Sequence, residues 1–157
     1  MKNNLISNDE STFNGHKYLA LYGDLRNASE NGKLVSAYGH YLSQGKVEGR
    51  VPFWSDDKIY CLGAYGTNNV GDDAILHGLL KEYPTAIPIV IKKKYGDRSI
   101  PSELLLNSVN FFEKGDILIV GGGGIFTTAQ SIQTIYKKLK IIYKEVKTME
   151  FTHQNII

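Results

Sequence analysis

Cysteine is nearly absent from this chain. Cys61 stands alone, so neither a disulfide framework nor a thiolate metal site can be built from it. An excess of either charge is missing too: 18 Lys+Arg against 16 Asp+Glu leave a formal +2, no electrostatic footprint for nucleic acid or an anionic membrane. Long apolar stretches are also lacking. The longest, Ala86 to Ile91, falls far short of a membrane span, and positions 1–11 are too polar for a secretory signal. These absences lead to the expectation of a soluble, cytoplasmic chain with no nucleic-acid partner and no transmembrane segment. At 42% apolar and 22% charged residues the composition is that of a globular domain. Its 157 residues allow one domain with a real core, with or without an appendage, but not two full domains.

Glycine is plentiful and unevenly placed. Gly63, Gly66 and Gly71 form one cluster and Gly121–Gly124 another. Each follows a compact apolar run and precedes a helical pattern, the punctuation of a parallel α/β sheet. A first strand is expected over Lys58–Tyr65. A helix follows over Asp72–Tyr83, with Ile75, Leu76, Leu79, Leu80 and Tyr83 at helical spacing and Pro84 as its stop. A second strand, Ala86–Lys92, contains Pro88, which predicts a strand start or a position near the sheet edge. Ser102–Glu113 reads as a helix burying Leu104, Leu105, Val109 and Phe112, and Asp116–Val120 as a third strand buried on both faces.

The clearest helical stripe is the last: Ile132, Ile135, Tyr136, Leu139, Ile142, Tyr143 and Val146 on one face. Lys137, Lys138, Lys140, Lys144 and Lys147 cover the rest, suiting a solvated face or phosphate contacts. Residues 1–57 look different, polar and turn-rich. They predict a loosely packed, partly helical extension, with short amphipathic pieces at Tyr18–Leu25 and from Leu34 to Leu42, the latter closed by Gly45 as a C-cap. Phe53 and Trp54 are expected to anchor it, or to stack on a sugar ring.

Two glycine loops at strand ends predict a ligand site. In an open parallel sheet, strand carboxyl ends and helix amino ends share one edge, where ligands bind. Glycines there admit close approach and leave backbone N–H groups available, unless they serve only tight turns. Gly66-Thr67-Asn68-Asn69-Val70-Gly71 has the spacing of a P-loop, but Asp72-Asp73 stands where Lys-Ser/Thr belongs. Carboxylates there repel phosphates, which excludes a nucleoside-triphosphate hydrolase. The spacing of Gly63, Gly66 and Gly71 also fails the dinucleotide fingerprint, and Lys92-Lys93-Lys94 ends the second strand instead of a ribose-binding acid. Asp72 reads as the helix N-cap with Asp73 in the first turn. Either can also accept a hydrogen bond from a sugar hydroxyl, and Asp72 can take its proton as a general base. Asn68 and Asn69 supply amides for a hydroxyl-rich ligand, or plain turn chemistry.

Tyr60–Leu80, with Gly63, Gly66, Asn68, Gly71, Asp72, Ala74, Ile75 and Leu76, resembles the amino-terminal motif of the polysaccharide pyruvyl transferase family. The stretch Gly115–Phe126, with Gly121–Gly124, resembles that family's second signature, roughly 45 residues further on. The resemblance implies a Rossmann-like parallel three-stranded βαβαβ half-domain, a truncated GT-B-like architecture, over 58–148. Residues 1–57 would be its extension and 149–157 a tail cut before the next strand. It further implies transfer of pyruvate from phosphoenolpyruvate, the donor substrate, onto two hydroxyls of a glycan as a ketal. No other cofactor or metal is implied. The acceptor would be an exopolysaccharide or cell-wall glycan, often on a lipid carrier at the inner membrane face. Asp72 would be the catalytic residue. Gly66, Asn68, Asn69, Gly71, Asp73, Gly121, Gly122, Gly123 and Gly124 would bind substrate; Lys92–Lys94 with Arg98 read as solvated charge, or as contacts to a carrier phosphate. The groups gripping phosphoenolpyruvate lie in the family's carboxy-terminal half. The chain is therefore expected to be the front half of a transferase, made by truncation, a frame change or a split gene, and inactive alone. A separately encoded carboxy-terminal half is one partner this allows. A GT-B-like glycosyltransferase fragment binding a nucleotide sugar, and a non-catalytic remnant, are the alternatives. Cys61 is expected in the core; His77 reads as surface or core packing, and His16, His40 and His153 are given no role.

Overall fold

The computed structural model describes residues 9–91, 96 and 98–121. Its centre is a four-stranded, all-parallel sheet: β1 (Ile59–Leu62), β2 (Ile87–Val90), β3 (Ile100–Pro101) and β4 (Ile117–Val120), in the order β3-β2-β1-β4. The chain builds outward from β1 to β2 to β3, then crosses back to lay β4 on the other side of β1. Tyr60 pairs with Ile87 on one flank and with Leu118 on the other.

Period-two alternation divides the sheet's side chains between two cores. Tyr60, Leu62, Ile87 and Ile89 join one buried cluster, whereas Cys61, Val90 and the half-buried Ile59 and Ile119 join the other. The second face is covered by α4 (Val70–Glu82), which places Leu76 fully buried with Leu79 and Leu80 beside it. Strands covered on both faces are what a parallel sheet requires. Among the described residues no helix is long and apolar enough to cross a membrane.

The first face is covered by residues expected to be loosely packed, and that expectation is corrected. Helices α1 (Gly15–Leu21) and α2 (Gly23–Glu30) and a short α3 (Ala37–His40), continued by a π-helical turn at Tyr41–Gly45, form an amino-terminal lobe. Tyr18, Leu21, Leu25, Val51 and Phe53 are buried in the same cluster as Tyr60, Ile87 and Ile100. The lobe is held by aromatic rings. Phe13 meets Tyr18, Tyr38, Tyr41 and Trp54 at centroid distances of 5.4, 5.3, 5.7 and 5.5 Å, geometry in which edges and faces attract. Phe13 and Trp54 also form an antiparallel bridge, so Trp54 anchors the lobe as expected. Gly45 ends no helix as a C-cap; it lies buried inside the π-turn, and Val35 is fully exposed.

Three further expectations change. A fourth strand, β3, adds to the three expected and takes the edge, so β2 lies next to the edge strand, near the edge as Pro88 predicts. Pro88 is tolerated because β3 pairs only Ile89 and Val90, leaving the proline without a partner on that flank. The helix expected over Ser102–Glu113 ends as α5 (Ser102–Leu106). Ser108 turns its hydroxyl back to the Leu105 carbonyl at 2.6 Å and Asn110 takes φ +53°, which stops the helix. The turn still buries Phe112 and adds Phe111, but leaves Val109 half exposed. The lysine-rich segment, Lys92–Lys94 and residues 149–157 lie outside the described residues.

Cys61 is completely buried on β1, as expected, and burial pushes its thiol up to about 11. Its thiolate fraction at pH 8 is then about a hundredth of that of an ordinary thiol, so alkylation of the folded protein should be about 100-fold slower than after unfolding in urea. A mass-spectrometric time course with iodoacetamide measures it; equal rates in both states would contradict the burial.

Candidate functional site at the carboxyl edge of the sheet

The order β3-β2-β1-β4 creates one topological switch point. β1 and β4 are adjacent parallel strands whose carboxyl ends share one sheet edge, and the chain runs from β1 to β2 on one flank while β4 lies on the other. Ligands of parallel α/β sheets bind where the strand order reverses in this way. The loop from Gly63 to Asn69 follows β1, and Gly121 follows β4. The two glycine clusters therefore share one edge, as expected, for the part that is described; Gly122, Gly123 and Gly124 lie outside the described residues.

Close approach explains the first glycine. A Cβ on Gly63 would overlap both the Gly121 carbonyl oxygen and the Tyr65 ring. Gly66 takes φ +72°, a left-handed turn that glycine adopts without a steric penalty. Asn68 adopts φ +64°, a conformation asparagine tolerates better than most residues. Its side chain is exposed, in the loop between β1 and α4.

Helix α4 is not capped by Asp72. Asn69 is the N-cap, its side-chain oxygen accepting from Gly71 N–H at 3.1 Å. The cap moves because α4 begins at Val70, two residues earlier than expected, which puts Asp72 at the third helical position. Asp72 is 2% exposed. Asp73 reaches back to accept from Gly66 N–H at 3.1 Å, closing the loop onto the helix. Thr67 closes it further by donating its hydroxyl to the Ala64 carbonyl at 2.8 Å.

These bonds decide what the edge can hold. The N–H groups of Gly66 and Gly71 are committed to side-chain oxygens, and Gly121 N–H donates to the Leu62 carbonyl at 3.0 Å, continuing the ladder. The described glycines thus do not offer the free N–H cradle that a bound phosphate requires. Two carboxylates in the first turn of α4 disfavour an anion there as well. What this edge carries is acceptor-rich: the exposed amides of Asn68 and Asn69 and the partly exposed Asp73, with Asp72 buried behind them, groups suited to ligands that donate hydroxyl protons.

Tyr65 is not singled out by the sequence, yet it is packed between the carboxyl ends of β1 and β4. Its ring lies over Gly63, its hydroxyl approaches Gly121, and it is completely buried. The signal was present in an aromatic residue set between two spaced glycines.

A second polar cluster, also unforeseen, occupies the opposite edge. Lys17 on α1 is completely buried. Its Nζ donates to Asp116 at 2.7 Å, to the Tyr60 hydroxyl at 2.6 Å and to the Asp57 carbonyl at 3.0 Å. Burial pulls the Lys17 ammonium below its ordinary value against the hydrogen bond and charge of Asp116. Arg98 pairs with the buried Asp57 carboxylate here, so it does not serve the carboxyl edge as a phosphate contact. Asp57, Arg98 and Asp116 precede β1, β3 and β4, at the amino ends of the strands. Lys17 has all three donors satisfied, which marks it as a structural tie. His77 is exposed on α4. His16 hydrogen-bonds with the Asn110 carbonyl oxygen and His40 with the Tyr18 hydroxyl, contacts that hold the lobe.

No family model matches the chain, and neither a curated protein nor a solved structure matches it. The small, all-parallel sheet with helices on both faces is consistent with a Rossmann-like α/β fold.

Proposed function

We propose that the chain is a polysaccharide pyruvyl transferase-like domain that binds a glycan acceptor at the β1–β4 crevice. The observation carrying this reading is the pairing of a glycine-opened β1 loop with carboxylates, in place of a lysine, at the start of α4. Carboxylates and amides accept from sugar hydroxyls and repel free phosphates, so the acceptor sugar suits this edge better than a nucleotide does. Asp72, at the third position of α4, orients one sugar hydroxyl and draws on its proton. That hydroxyl adds to the central carbon of the enolpyruvyl group while the methylene carbon gains a proton. Phosphate leaves, and the second hydroxyl closes the ketal with loss of its own proton. The family resemblance assigns the grip on phosphoenolpyruvate to a carboxy-terminal half, supplied in a longer chain or by a separate one. A GT-B-like arrangement of the two halves belongs to the same proposal, as does work at the inner membrane face on a lipid-carried acceptor.

Calorimetric titration with methyl glycosides, phosphoenolpyruvate, UDP-sugars and GDP-sugars tests the reading. Binding of a glycoside without binding of nucleotide sugars is expected. Preferred binding of a UDP- or GDP-sugar would instead place the chain among nucleotide-sugar glycosyltransferases, and failure to bind any of the four would leave a non-catalytic remnant. Asp72→Asn should weaken glycoside binding about tenfold, the range of one charge-assisted hydrogen bond, while Asn69 keeps α4 capped. An unchanged affinity would remove Asp72 from the site.

A further inference from the structure

We propose that the Tyr65 hydroxyl is a ligand-binding donor, placed at the switch point to hydrogen-bond an oxygen of the saccharide; this rests on the sugar-site reading above. Tyr65 is completely buried and its hydroxyl has no hydrogen-bond partner among the described residues. Burying a hydroxyl unpartnered destabilises a fold, and phenylalanine would fill the same space without that cost. The residue is also built around. Gly63 leaves room for the ring, and the hydroxyl lies 3.5 Å from where a Cβ on Gly121 would stand. It thus lies between the carboxyl ends of β1 and β4, the strands on either side of the reversal in strand order.

The surroundings fix its role as donor. Burial, with a smaller contribution from its neighbours Cys61 and Asp72, pushes the phenol up to about 12, so it carries its proton throughout the physiological range. Asp72 supplies an acceptor in the same region, and a donor beside an acceptor is the complement of an alcohol, which needs both. A phosphate or carboxylate could use the donor but would be repelled by the aspartate. The combination therefore selects a neutral, polyhydroxylated ligand.

The test compares wild type with Tyr65→Phe, both as the full chain, titrated with methyl glucoside, galactoside and mannoside. Fluorine NMR of 3-fluorotyrosine-labelled protein is recorded alongside, residue 65 being assigned by its absence from the variant. The expected results are about tenfold weaker glycoside binding in the variant, a shift of the residue-65 resonance on saturation, and a urea midpoint equal to or above wild type. Glycoside binding that Tyr65→Phe leaves unchanged overturns the donor and leaves the sugar site standing. Wild-type protein that binds none of the glycosides overturns both. A lower midpoint in the variant would show the hydroxyl bonded within the fold, and overturns the donor as well.

Discussion

Lys17→Met should lower the stability of the protein by about 3 kcal/mol, the lower end of the cost of stripping one partner from a buried ion pair. Asp116 keeps two other contacts after the change, accepting from Glu113 N–H at 2.9 Å and lying 3.6 Å from Lys58. Lys58 is partly exposed and cannot replace a buried ammonium. The Tyr60 hydroxyl and the Asp57 carbonyl lose a donor at the same time. With a urea slope of about 2 kcal/mol per molar, the midpoint should fall by about 1.5 M. Adding Asp116→Asn should recover much of the loss, because the orphaned charge is then removed and the bond from Glu113 N–H retained. An unchanged midpoint in the single variant would show that Lys17 ties nothing together.

The pH dependence carries its own sign. Lys17 titrates below its ordinary value of 10.5 in the folded protein, so between those two values the folded state binds fewer protons than the unfolded one. Its contribution to stability therefore rises with pH across that window, and Lys17→Met should flatten the profile there. A parallel profile in wild type and variant would contradict the burial of a charged lysine.

Gly63→Ala should be the most damaging added methyl among the described glycines, at about 3 kcal/mol or more. Overpacking ordinarily costs about 1–3 kcal/mol because neighbouring side chains move aside. Here one obstacle is the Gly121 carbonyl oxygen, which belongs to the backbone of the adjoining strand end. The other is the ring of Tyr65, already completely buried. Relief requires β1 and β4 to part at their carboxyl ends, which would break the bond from Gly121 N–H to Leu62. Amide exchange at Gly121 should accelerate far more than at Ile89 on β2, and the urea midpoint should fall. Protection retained at Gly121 would mean the strands accommodate the methyl.

The carboxyl-edge crevice was legible because glycine is chemically loud: Gly63, Gly66 and Gly71 after one apolar run and Gly121 after another mark strand ends on one edge. Strand β3 was not legible. Two residues, one of them Pro101, carry no alternation and little β propensity. The amino-terminal lobe was hidden for another reason. Much of its buried surface comes from tyrosines, Tyr18 and Tyr22 among them, whose hydroxyls make a core-forming segment read as polar. Lys17 was invisible on the same ground, since a lysine next to Tyr18 announces solvent until Asp116, 99 residues away, is brought beside it. The cap at Asn69 was misplaced by the adjacent acids, because asparagine and aspartate satisfy a helix start by the same bond.

Trp54 gives the chain a built-in optical reporter. It is the single tryptophan, 8% exposed, and bridged to Phe13 at the seam between the helical lobe and the strands. Indole emission shifts to the red when water reaches the ring. Undocking of the lobe can therefore be followed separately from collapse of the sheet, with no label attached.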